Sequence, residues 1–230
     1  MRNRARVWSI VVSVFGLVAA LVFTFLFPAV KGLGTRVRLP VFHGSLTWAN
    51  LVLFAVLGIV GIVAFFTTGE RGQRTYRWVD ALRITAVVLW LGGTVLGLIA
   101  ARLSWDFSAS QTSPWQLLLA EPRMQLQFVV SLVGVAALAL PLVLGQGRLR
   151  SLIAGLFGVA TLVGLYFAMT AGTGLHPDSP VMNSDELRIK LTFYLMFAGQ
   201  LVLSAGLTAF VRSCYRQRNQ RFGTHVAPLR

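Results

Sequence analysis

Two histidines are the residues in this 230-residue chain whose type and setting could do chemistry. His43 stands in the segment PVFHGSLTW (40–48), and His176 stands in GLHPD (174–178). Neutral imidazole is a common iron ligand, and two imidazoles at one depth of a membrane can hold a haem iron from opposite sides. The alternative is two interfacial histidines that hydrogen-bond to the backbone or to lipid headgroups.

Aromatic residues lie in the segment 102–125, between the two histidines along the chain, and basic residues lie in this segment and shortly before His43. Trp105 and Trp115 could form a flat apolar platform for a porphyrin, and Arg36, Arg38, Arg102 or Arg123 could pair with its propionates. The competing interpretation is an ordinary aromatic belt at the membrane surface.

The elements that must position these residues are membrane-spanning helices. The chain is 56% hydrophobic and 12% charged, with a mean hydropathy of +0.71, which excludes an ordinary soluble domain. Apolar runs of spanning length predict one all-α polytopic domain over 1–230 with six transmembrane helices. These runs lie at about 7–27, 46–68, 79–101, 126–144, 152–170 and 189–211.

The distribution of basic residues predicts the orientation of the helices. Lysine and arginine are more frequent in the segments on the N-terminal side, so the positive-inside rule puts both termini in the cytoplasm. The longer segments 28–45, 102–125 and 171–188 then lie outside, and His43 and His176 share the outer face. The first apolar run is too long for a cleaved signal peptide. We expect a multi-pass protein of the plasma (inner) membrane.

Several function classes find no support in the composition. The net charge of +14 is spread between the spans without an aromatic-lined groove, so we expect lipid as the counter-charge and no nucleic acid. The single cysteine, Cys214, excludes an internal disulfide. Nucleotide-binding and metalloprotease motifs are missing, so any ATP hydrolysis would come from a partner.

Two further patterns concern the helices themselves. Arg83 stands near the predicted cytoplasmic end of its span, so we expect its side chain to reach the interface. Small-residue spacings predict close helix packing. They occur at Gly93 and Gly97 and among Gly58, Gly61, Gly155 and Gly158.

Three segments carry a resemblance to a known family. RLPVFHGSLTW (38–48) resembles the histidine segment of the cytochrome c assembly family, the CcmC and CcsA type, in which a tryptophan follows the histidine by five residues. GLHP (174–177) is similar to the short outer loop that carries the second histidine of that family. WQLLLAEPR (115–123) resembles, in degenerate form, its tryptophan-rich signature, with Glu121 and Arg123 at the acidic and arginine positions.

The resemblance implies that haem b (iron protoporphyrin IX) is held at the outer face between His43 and His176. It implies delivery of this haem for c-type cytochrome biogenesis by exchange of axial ligands, with a CcmC-like maturation subunit as the nearest type. The implied partners are ABC-type transporter components, a haem chaperone or cytochrome c maturation factors. The residues implied around the haem are Arg38, Trp48, Trp105, Trp115, Glu121 and Arg123.

Two alternatives stay open at this point. One is a single-haem b-type membrane cytochrome in quinol-linked electron transfer, although such a protein usually needs redox centres near both faces of the roughly 30 Å hydrocarbon core. The other is a cofactor-free transporter or scaffold subunit. Substrate binding in a transporter normally needs buried polar groups and broken spans, and we expect few of the former and none of the latter.

Overall fold

The computed structural model describes residues 2–30, 34–104, 113–144, 147–171, 181 and 183–223, with side chains described between residues 3 and 214 of these ranges. In the described part of the chain every long element is a helix, and the one pairing of β type is an isolated bridge between Val30 and Gly34. Six of the helices are long and apolar enough to cross a membrane. The prediction of an all-α, six-span membrane protein is confirmed.

The helices are longer than the apolar runs that predicted them. A 3-10 turn, Thr35–Val37, precedes the second helix, and a short helix lies before the fourth span. The α-helices are α1 Arg2–Leu26, α2 Arg38–Phe66, α3 Gly69–Ser104, α4 Pro114–Ala120, α5 Pro122–Leu144, α6 Arg148–Thr170 and α7 Leu187–Gly223.

The start of α2 differs most from its prediction. The helix begins at Arg38 rather than at residue 46, because Pro40 falls in its first turn, where proline needs no hydrogen-bond donor. His43 therefore lies within a helix and not in the loop that precedes it. Because the backbone at His43 is helical, the direction of the imidazole depends on how α2 packs against its neighbouring helices.

Close backbone contacts between α2 and α6 fix that packing. A Cβ atom on Gly61 would lie 2.6 Å from the Cα of Gly155, and one on Gly158 would lie 2.9 Å from the backbone nitrogen of Gly58. No residue larger than glycine fits at these distances without moving a helix. The predicted role of these four glycines in close helix packing is confirmed.

An aromatic group joins α2 to α3 and α6 in the middle of the bundle. The Phe54 ring packs edge-on against Trp90 at 5.5 Å and against Phe157 at 5.4 Å between centroids. Phe54 is fully buried. This contact fixes α2 against α3, and these are the two helices that bring His43 to its neighbours.

The bundle has two ends, which we name by one polar residue at each. The histidine end holds His43, and the aspartate end holds Asp80. Along α3, Asp80 and Gly97, which contacts His43, are about 26 Å apart at the helical rise per residue.

Candidate functional site

The His43 imidazole is half-buried at the histidine end, where it packs against a position of α3 that has no side chain. A Cβ atom on Gly97 would lie 2.7 Å from His43 Cε1 and 2.9 Å from Nε2. Gly97 therefore makes room for an imidazole ring and not for a neighbouring backbone, which differs from the predicted role of the Gly93 and Gly97 spacing. A Cβ atom on Gly93 would meet only Leu46 Cδ2, at 3.8 Å.

The third wall of the site is Gln127 on α5, which the sequence did not single out. Its Nε2 lies 3.4 Å from His43 Nε2. Trp90 Nε1 donates to the main-chain oxygen of Gln127 at 3.2 Å, which anchors this turn of α5 against α3. The side-chain Oε1 of Gln127 is buried and has no hydrogen-bond partner within the described ranges. The sequence signal that could have identified Gln127 is its position as a polar residue within an apolar run.

Arg123 lies one helical turn before Gln127 on α5, about 6 Å along the axis toward the histidine end. Its Nε is buried and makes no hydrogen bond to any described residue. Residues four apart share a helix face, so Arg123 and Gln127 line the same side of α5. A guanidinium with an unused donor, one turn from the residue that contacts the His43 imidazole, suits an anionic group such as a carboxylate.

The short helix α4 carries two of the predicted residues. α4 packs through buried Leu118 against Ala101 and Met124, and Trp115 at its start is 55% exposed. Glu121 joins α4 to α5 and is buried, with its backbone oxygen accepting from Gln125 N at 2.9 Å. The exposed Trp115 ring can form an outer surface, whereas Glu121 belongs to the junction between the two helices.

Trp48 and Arg38 lie away from the imidazole. Trp48 follows His43 by five residues, about 140° around the helix, and is 47% exposed on another face of α2. Arg38 Nε donates to the backbone oxygen of Phe27 at 3.2 Å and ties the end of α1 to the start of α2. The structure thus brings His43 against Gly97 and Gln127, with Arg123 one turn from Gln127, and leaves Trp48 and Arg38 apart.

The other predicted residues, His176 and Trp105, lie outside the described residues. Within the described ranges, no group of three or more His, Cys, Asp or Glu side chains is arranged to hold a metal ion.

A second polar group lies at the aspartate end and corrects a prediction. Arg83 is 0% exposed, so the expectation that its side chain reaches the interface was wrong. Its Nη2 lies 3.4 Å from Asp80 Oδ1, and Arg150 Nη2 contacts the other carboxylate oxygen of Asp80. These three residues, the Asp80 cluster, join α3 to α6 inside the bundle.

Pro141 explains the backbone contact that Arg83 also makes. The Nη1 atom of Arg83 donates to the backbone oxygen of Ala137 on α5. In a regular helix that oxygen accepts from the residue four positions later, but this residue is Pro141, which has no N–H. Arg83 supplies the missing donor from another helix, so the cluster reaches α5 as well.

Buried amides also join helices, so the expectation of few buried polar groups was wrong. Asn50 Nδ2 donates to the backbone oxygen of Ala86 at 3.2 Å, and Gln200 Nε2 donates to that of Phe42 at 3.2 Å. Both residues are at most 1% exposed. Interhelical hydrogen bonds of this kind stabilise helix packing in membranes.

No protein-family model matches the chain, and no curated protein matches it. The likeness to the cytochrome c assembly family therefore depends on the segments 38–48, 115–123 and 174–177, and it stays a prediction.

Proposed function

We propose that the protein binds haem b at the histidine end, with His43 and His176 as axial ligands, and passes it on for c-type cytochrome biogenesis. The observation that supports this best is the setting of His43. Its imidazole enters the bundle where Gly97 makes room for it, and Arg123 lies one turn of α5 beyond its neighbour Gln127.

The described residues include the types of group that a haem needs. Haem supplies an iron that accepts axial ligands and two propionates that need cations. His43 would supply an imidazole nitrogen, and Arg123, whose Nε has no partner in the described ranges, would pair with a propionate. Trp115, more than half exposed on α4, would offer an aromatic surface.

In delivery, this chain would hold the haem and then release it to a partner. A neutral imidazole is a ligand that another imidazole from a partner can replace, since the two are chemically equivalent. The family resemblance suggests ABC-type transporter components, a haem chaperone or maturation factors as these partners. The protein then needs no covalent chemistry of its own.

The test compares bound haem in the purified wild type with that in His43→Ala, His176→Ala and, as a matched control, His225→Ala. We expect a bis-imidazole absorbance spectrum that both ligand variants lose and that the control keeps. Free imidazole should restore binding to His43→Gly. Unchanged haem content in both ligand variants would contradict the proposal.

The same preparation separates the two alternatives. A wild-type protein without a chromophore after haem supplementation would favour the cofactor-free transporter or scaffold. Rapid reduction of the bound haem by a quinol analogue would favour the electron-transfer cytochrome.

A further inference from the structure

We infer that the protein binds the phosphate group of an anionic phospholipid between α3 and α7 at the aspartate end. We name this region the α3–α7 basic surface, and it consists of Arg71, Arg74 and Trp78 on α3 and Arg212 on α7. It lies at the opposite end of the bundle from the proposed haem site. The inference therefore goes beyond the proposed function and does not depend on it.

The contact between Arg212 and Trp78 joins the two helices at this surface. The guanidinium carbon of Arg212 lies over the Trp78 ring, 4.0 Å from its centroid, and both side chains are partly exposed. A guanidinium that stacks on an aromatic ring keeps its N–H donors in its own plane, where they point to the side rather than into the ring. Such a planar fork matches the oxygens of a phosphate group.

The position of this pair along the two helices favours a lipid over a soluble phosphate. Trp78 directly precedes the apolar run 79–101 of α3, and Arg212 directly follows the apolar run 189–211 of α7. The boundary between apolar and polar sequence is the level of the lipid headgroups, where tryptophan is enriched. Further into the membrane, Val88 on α3 and Ala205 on α7 are exposed, so acyl chains can cover the apolar surface below the headgroup.

The charge of the α3–α7 basic surface also requires an anion. Arg71 and Arg74 precede Trp78 by seven and four residues, so the three share one face of α3. Among the described residues at this end, Glu70 is the exposed carboxylate, and it pairs with Arg74 at 3.5 Å. Together with Arg212, three guanidinium groups meet one carboxylate. An anionic headgroup supplies the missing counter-charge.

The test measures the binding of dioleoylphosphatidylglycerol to the full-length protein in detergent by native mass spectrometry, with dioleoylphosphatidylcholine as the neutral lipid. We expect the wild type to bind the anionic lipid more tightly. Arg212→Gln should weaken this binding by about fivefold, the share of one cation near a membrane surface. Arg212→Lys keeps the charge but loses the planar fork, so its affinity should lie between the two, and it serves if the glutamine variant does not fold.

Arg148→Gln is the matched control, because it removes one charge from an exposed position of α6 at the same end of the bundle. We expect this variant to bind phosphatidylglycerol like the wild type. Equal losses in Arg148→Gln and Arg212→Gln would overturn the inference, since the lipid would then respond only to net charge.

Two further measurements test the stacked pair and the kind of ligand. Trp78→Leu changes no charge but removes the ring under Arg212, and it should weaken binding by about two- to fivefold. Wild-type affinity in this variant would overturn the role of the pair. Inorganic phosphate in large excess should not displace the lipid, and displacement would overturn the assignment to a lipid headgroup.

Haem content separates this inference from the proposed function. Arg212→Gln should keep the haem content of the wild type, because the two sites lie at opposite ends of the bundle. A wild type that binds no haem would contradict the proposed function and leave the lipid site as it is.

Discussion

The absence of one Cβ atom on α3 decides whether the His43 ring can lie where it does. Gly97→Ala would place a methyl group 2.7 Å from the ring. We expect haem affinity to fall by at least about tenfold, which is about 1.4 kcal/mol, because the methyl group would displace the ring that we propose as an iron ligand. Haem per protein, measured by absorbance, checks this.

Gly92→Ala is the matched control for that variant. A Cβ atom there meets no atom within 4 Å, and both changes raise helix propensity equally. We expect Gly92→Ala to bind haem like the wild type. Equal haem content in the two alanine variants would show that the His43 ring is not part of the site.

Arg123 supports a second prediction at the residue scale. Arg123→Gln keeps a polar side chain but removes the cation that we assign to a propionate. A charge-assisted hydrogen bond contributes about 1.5–3 kcal/mol, so we expect haem affinity to fall by at least about tenfold. Arg188→Gln, at an exposed position at the start of α7, is the control and should bind normally. Equal affinities in the two variants would exclude Arg123 from haem binding.

The contacts between helices depend on the Asp80 cluster, which joins α3 to α5 and α6. It contains two buried guanidinium groups and one buried carboxylate. Asp80→Asn would leave both cations without a counter-charge and should destabilise the fold by about 3–5 kcal/mol. Arg83→Met keeps one cation paired with one anion, so its cost should be smaller.

Thermal unfolding in detergent checks that Asp80→Asn is less stable than Arg83→Met. Glu70→Gln is the control, because Glu70 and its partner Arg74 are exposed and such pairs contribute about 0–1 kcal/mol. A melting temperature for Asp80→Asn at or above that of Arg83→Met would contradict the assignment of a buried, charge-balancing role to Asp80.

Glycine contacts between helices explain why α2 and α6 behave as one unit. Because Gly61 and Gly155 touch through their backbones, the two helices cannot rotate independently, and Phe54 on α2 then fixes α3. The glycine spacing is visible in the sequence, but the partner of each glycine is not. Gly97, four residues after Gly93, belongs to a similar small-residue pattern but accommodates a side chain.

At the scale of the whole molecule, six helices are long and apolar enough to cross a membrane, and an even number of crossings predicts that the two termini lie on one side. The positive-inside rule predicts that this side is the cytoplasm, with the histidine end outside. A C-terminal green fluorescent protein should therefore fluoresce, and a C-terminal alkaline phosphatase should be inactive. The reverse pattern would put His43 at the cytoplasmic face and contradict delivery of haem to the outside.

Helix boundaries could be predicted only in part. The apolar core of each span was located correctly, whereas α2 begins at Arg38 and α3 continues from Gly69 to Ser104, well beyond the apolar windows. Helical hydrogen bonds continue into polar sequence at the membrane surface, where hydropathy carries no signal. The short helix α4 was missed because seven residues are too few to show a helical period.

The set of spans can be read from the amino-acid sequence alone, because a bilayer requires each crossing segment to satisfy its own backbone hydrogen bonds, and local apolar composition records this. The contacts between distant residues can be read only from the folded protein. Arg150 meets Asp80 across 70 residues, and Gln127 meets His43 across 84. Such pairs depend on how helices rotate and cross, which is set by packing between distant segments and is not encoded in the composition of either one.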